Sequence, residues 1–168
     1  MHKTDLHHRA AGFSLIELMI VVVIVGILAT VAYAGYKNKM YESRRTDAVN
    51  ALSTMANDLE KFNSECSGYA TNITATSRSC TSPTGTAPAH DGSLGRGTNG
   101  NQSPNGYYTV SITVPAAGTY TVSATPVATS VQAGDATCWT MTLTNTGVKG
   151  AKNKSNADTT SICWASAK

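Results

Sequence analysis

Charge is scarce in this chain. Asp, Glu, Lys and Arg make up 14% of its 168 residues, against a hydrophobic fraction of 41%. The net charge is +3, and 11 basic against 9 acidic residues remain once the first twelve positions are set aside. That balance does not demand nucleic acid as a partner. The four cysteines, Cys66, Cys80, Cys138 and Cys163, form no C-x-x-C pair, which argues against zinc. Histidine is limited to His2, His7 and His8 near the N-terminus and to His90, alone in a polar stretch. No Ser/His/Asp or Cys/His grouping is suggested, so neither an enzyme nor a bound cofactor or metal is expected. The sequence GRGTNG at 95–100 matches G-x-G-x-x-G, but it follows no predicted strand and opens no helix, which excludes a nucleotide loop.

What the chain does have is one long apolar run. Phe13 to Ala34 gives 22 residues, enough to span about 30 Å as a helix. Lys3 and Arg9 precede it, so the N-terminus is expected in the cytoplasm and the remainder translocated. An even number of widely spaced cysteines in a Gly- and Thr-rich region agrees, because it reads as two disulfides formed outside the cytoplasm. Four cysteines allow three connectivities. The sequence-local one, Cys66–Cys80 and Cys138–Cys163, is favoured and the other two stay open. A plain anchor helix does not account for Glu17, since a carboxylate deep in hydrocarbon costs about 2.5–3.5 kcal/mol. Its natural partner is the amine of a chain cleaved after Gly12. That amine, on Phe13, lies four residues away on one helical face of the same chain, or else belongs to a neighbouring chain. An intermolecular pair turns an unfavourable buried group into an assembly signal.

The residues GFSLIELMIVVVIVGILATVAY, with the short basic leader before them, resemble the N-terminus of a type IV prepilin. The resemblance implies cleavage by a prepilin peptidase between Gly12 and Phe13 and methylation of the new Phe13 amine. It further implies a role for Glu17 in pairing with the N-terminus of an adjacent subunit. Type II secretion pseudopilins share the motif. Similar pilins often carry a proline where this chain has Ala34, a good helix former. Gly26 and Gly35 remain as weak points.

From Tyr36 to about Ser64, Ala48, Leu52, Met55, Leu59 and Phe62 recur at three- and four-residue steps, flanked by Val49 and Ala56. Neither Pro nor Gly interrupts Lys37 to Ser64, so one helix of about 50 residues is expected, with this stripe facing a sheet. In YESRR at 41–45, the two arginines are expected on a solvated face, or against lipid head groups or a neighbouring subunit. Cys66 to Asn105 is poor in large apolar residues and reads as a long loop. GYYTVSITV, TYTVSATP and CWTMTLT alternate apolar and polar residues and predict three antiparallel strands, the first two joined at PAAG. The predicted fold is α+β: a long N-terminal helix packed on an antiparallel sheet, as in type IV pilins.

The segment SPNGYYTVSIT, the AGDATCW junction and the terminal ICW look most like PilE-type minor pilins. The disulfide-bounded C-terminal region resembles the exposed, variable region of that family. Five segments are expected: a leader at 1–12, a membrane and filament-core helix at 13–35, an amphipathic helix at 36–65, a loop region at 66–105, and the sheet with its disulfide-bounded tail at 106–168. The expected function is that of a type IV pilus subunit, leaning to a minor pilin and supporting adhesion, twitching motility or DNA uptake. It would be held in the inner membrane before assembly and on the extracellular pilus after it. Its expected partners are other pilins, prepilin peptidase and the pilus assembly platform. A pseudopilin, a major pilin and a DNA-binding uptake pilin are the alternatives. The absence of an acidic, calcium-type cluster near the C-terminus weighs against the pseudopilin. Lys149, Lys152 and Lys154 form a small basic cluster in the tail, but no aromatics are interleaved with it, so nucleic acid is possible but unsupported. The sequons at Asn72, Asn101 and Asn153 occur often enough by chance to carry no weight.

Overall fold

A computed structural model describes residues 13–80 and 92–167. The predicted leader, Gly12 and His90 lie outside the described residues. The helix α1 runs Leu15–Cys66, 52 residues, and continues helical through Gly26, Ala34 and Gly35. The chain divides into two units, one ending at Lys39 and one beginning at Met40. In the first, Leu15 to Val31 present their large apolar side chains to the outside, as with Ile16 at 67% and Val31 at 75% exposure. This part of α1 is long and apolar enough to cross a membrane.

The second unit holds the core. After α1 come two short strands, β1 (Arg78–Ser79) and β2 (Ser93–Leu94), paired antiparallel. The main sheet follows, with β3 (Tyr108–Thr113), β4 (Thr121–Pro126), β5 (Thr140–Thr144) and β6 (Lys149–Lys152) in the order 3-4-5-6, all antiparallel. A 3-10 turn at Val131–Gly134 precedes β5, and a short helix α2 (Thr160–Ser166) closes the chain. Gly118 and Gly147, with φ of 73° and 78°, make the turns after β3 and β5 in a conformation that favours glycine.

The helical stripe behaves as its spacing predicts. Ala48, Leu52, Met55, Leu59 and Phe62 are all buried in one cluster with Tyr108, Val110, Val122, Ala124 and Met141 of the sheet. Burying each large side chain contributes about 1.5–3 kcal/mol. The sheet has four strands rather than the three predicted. β6 reads KGAK, and only Ala151 turns inward, so no apolar alternation marked it. α2 is too short to show a helical period. The region 66–105 is also more structured than a loop. Tyr69, Ala70, Ile73 and Leu94 are in the core, and β1 and β2 pair across it. Tyr69 meets the Tyr120 ring edge-on at 4.7 Å and donates to the Glu60 carboxylate at 3.2 Å. The GRGTNG stretch directly follows β2, contrary to the expectation that no strand precedes it, and continues into turns rather than a helix.

Candidate functional site

Phe13 lies two residues before α1 and Glu17 in its first turn, both exposed. Far along the chain, the cysteines bring together what their spacing leaves apart. Cys66 is bonded to Cys80, with Cα atoms 5.2 Å apart, and Cys138 to Cys163, with Cα atoms 5.7 Å apart. The second bridge joins the start of β5 to α2 and so frames the C-terminal region. Among the described residues no group of three His, Cys, Asp or Glu side chains is placed to hold a metal ion.

Within that frame the tail lysines acquire neighbours that the linear sequence hides. β6 pairs with β5, placing Lys152 opposite Thr140. Trp139 donates its backbone N–H to the Lys152 carbonyl at 2.9 Å. Trp164 of α2 donates its indole N–H to the Gly150 carbonyl at 3.0 Å. The Trp164 ring is thereby fixed, and the Trp139 backbone is tied to the far end of β6. The Lys149 ammonium sits over Trp164 at 4.9 Å, and the Lys154 ammonium over Trp139 at 4.7 Å. A cation over a tryptophan face gains about 0.5–1 kcal/mol when exposed. The sequence shows no aromatics interleaved with these lysines. Each tryptophan comes from 15 residues away from the lysine it meets, by strand pairing and by the disulfide.

The three lysines are exposed and make no ion pair within 4.0 Å among the described residues. Asp158 is the sole acidic residue between Trp139 and Ala167. Its carboxyl is held below the usual carboxylate range, first by the backbone N–H and hydroxyl of Thr160 and then by the charge of Lys152. This face is therefore positive. Arg78 and Arg96, by contrast, are neutralised by Glu65 at 2.8 Å and Asp58 at 3.3 Å on α1.

YESRR is not the solvated patch that sequence reasoning expects. Arg45 is buried, with its guanidinium on both oxygens of Asp135 at 2.8 and 3.0 Å and on the Ser166 hydroxyl at 2.9 Å. Asp135 also accepts from Gln132 and from the backbone N–H groups of Thr137 and Cys138. The buried pair is tolerated because five N–H donors, two of them from Arg45, converge on the Asp135 carboxylate, while the Ser166 hydroxyl accepts from the guanidinium. Nothing in a linear pattern marks Asp135 as that partner, 90 residues away. Arg44, its neighbour, is half-buried over the Tyr107 ring at 5.0 Å.

Two family models match the chain. One, described as the prokaryotic N-terminal methylation motif, covers residues 7–33, the stretch holding Gly12, Phe13 and Glu17. With the exposed apolar run of α1, it fits anchoring in a membrane before pilus assembly. The other, described as "Type IV minor pilin ComP, DNA uptake sequence receptor", covers residues 34–142, well over half of the 168 residues. It takes in the amphipathic part of α1 and the sheet through Met141, and the two disulfides and the α+β architecture agree with it. The chain belongs to the type IV minor pilin family.

Proposed function

We propose that this minor pilin is a receptor for duplex DNA on a type IV pilus, and that it meets the DNA with the β6 edge of its head. The observation that carries the reading is the seating of Lys149 and Lys154 over Trp164 and Trp139 with no ion pair to consume their charge. The description of the matching family as a DNA uptake sequence receptor supports it. Phosphates supply most of the affinity in such contacts, through release of condensed counterions. Because lysines cover both rings, the tryptophans serve as seats for charge and not as platforms for unstacked bases.

The N-terminus supplies the rest of the function. Cleavage falls between Gly12 and Phe13, and the Phe13 amine is methylated. Glu17 pairs with the N-terminus of a neighbouring pilin, so that residues 13–35 enter the filament core and the head from 36 onward stays outside. The chain waits in the inner membrane, its N-terminus cytoplasmic, until the assembly platform extracts it to the extracellular pilus. Glu17→Gln should reduce incorporation into sheared pili, and undiminished incorporation removes that role.

The DNA reading is tested with the full chain in detergent micelles and a labelled duplex oligonucleotide of mixed sequence. Binding is followed by fluorescence anisotropy from about 50 to 200 mM salt, a range over which several phosphate contacts change affinity measurably. Replacing Lys149, Lys152 and Lys154 by Gln should weaken binding and flatten the slope of log K against log salt by about 0.9 for each lysine that meets a phosphate. Absence of binding by the unaltered chain, or an unaltered slope in the triple variant, refutes the reading.

A further inference from the structure

A groove beside α1, about 420 Å³, has Met40, Ser43, Arg44, Asp47, Asn50 and Tyr107 among its lining residues. Its positive group is Arg44, which makes no ion pair within 4.0 Å among the described residues. Its negative group is Asp47, whose oxygens are already engaged. Oδ2 accepts from the Ser103 hydroxyl, and Oδ1 accepts from the backbone and side-chain N–H groups of Asn105 at 3.1 and 3.0 Å. The Ser103 oxygen in turn accepts from the Tyr108 backbone N–H at 2.9 Å, so the carboxylate is locked to the wall. Arg44 is left with its guanidinium steadied on Tyr107 and its N–H donors unclaimed by any carboxylate.

A short chain of contacts joins this groove to the lysine face. Arg44 is bonded to Arg45, whose guanidinium holds Asp135. The next residue, Ala136, accepts the backbone N–H of Lys154 at 3.0 Å. Tyr107 precedes β3 and Trp139 precedes β5, and the register sets the starts of these two strands at the same end of the sheet, so Arg44 on Tyr107 and Lys154 on Trp139 are two ring-seated cations at that end, towards opposite edges.

We propose that the groove takes a phosphate of the same DNA strand that meets the lysine face, bound by the Arg44 guanidinium with the exposed Asn50 amide beside it. The inference rests on the DNA reading above. The locked carboxylate of Asp47 leaves the groove with no net charge. It is therefore a weak site for inorganic phosphate alone, and it acts only on a polyanion already held by the lysines. Discrimination comes from the rigid fork of arginine on the groove wall, which a flexible ammonium does not reproduce.

The test uses the full chain in micelles with the same duplex. Arg44→Gln should lower affinity about tenfold, as loss of a hydrogen bond to a charged group does, and flatten the salt slope by about 0.9. Asn50→Lys, at an exposed helical position, should tighten binding and steepen the slope by a similar amount. Inorganic phosphate at 10 mM, with ionic strength held constant, should not compete. If Arg44→Gln stays within twofold of the parent while the triple lysine variant is impaired, the groove inference is overturned and the DNA reading stands. If the parent does not bind duplex at all, both fall. Should Arg44→Gln melt early, Asn50→Lys decides: no gain in affinity overturns the inference.

Discussion

At the scale of single residues, the arginine pair shows how little a side chain's type says about its use. Arg44 and Arg45 are adjacent, yet one lies over a tyrosine at a groove and the other is buried on Asp135. Removing one partner of a buried pair strands the other charge, at a cost of about 3–5 kcal/mol. Asp135→Ala should therefore lower stability by that amount in urea denaturation, whereas Arg44→Gln should change it little. Gly92 offers a second residue-scale test. A Cβ there would lie 2.3 Å from Cζ of Phe62 and 2.8 Å from the Ser79 carbonyl. Gly92→Ala should cost about 1–3 kcal/mol by overpacking, seen in the same denaturation curves.

The elements depend on one another through the core and the second disulfide. Leu52 and Phe62 carry the helix stripe into the sheet, both fully buried. Leu52→Ala should destabilise by about 2–5 kcal/mol, the usual range for a buried leucine that leaves a cavity. The bridge Cys138–Cys163 does a different job. It closes a loop of 25 residues that contains all of β6 and its lysines. The chain-entropy model gives it about 3 kcal/mol. Replacing both cysteines by Ser should cost about that much stability. It should also weaken duplex binding more than replacing Cys66 and Cys80 does, because only the former pair holds Trp139 and Trp164 to β6. Equal effects of the two pairs on DNA affinity would argue that the tail does not carry the contact.

For the molecule as a whole, the tyrosines report the integrity of the head. Burial pushes the hydroxyls of Tyr108 and Tyr120 well above the ordinary tyrosine range, and the charges of Asp135 and Glu60 respectively push them further. Tyr69 is raised by burial and by Glu60 as well. A tyrosine whose pKa is higher folded than unfolded stabilises the fold fully below its unfolded value of about 10. That stability is lost as pH rises from there towards the folded pKa. Denaturation midpoints should accordingly be flat from neutral pH to about 9 and fall above 10, where unfolded tyrosines ionise. Ultraviolet titration of the folded chain should show these tyrosines ionising only with unfolding.

What periodicity and composition can carry was legible along the chain. The 22-residue apolar run, Glu17 within it, the three- and four-residue stripe from Ala48 to Phe62 and the alternation in three strands each depend on spacing along the chain. Spacing is local, so it survives without coordinates. The tertiary structure alone decided the rest. β6 has one inward alanine and no pattern to show. The core role of Tyr69, Ile73 and Leu94 arises because the region after α1 folds back over it. Arg45 finds Asp135 across 90 residues, and Trp139 and Trp164 reach Lys154 and Lys149 only once β5 pairs with β6 and the bridge draws α2 alongside. Side-chain pairs between distant segments leave no periodic trace, because what selects them is the geometry of closure and not the order of residues.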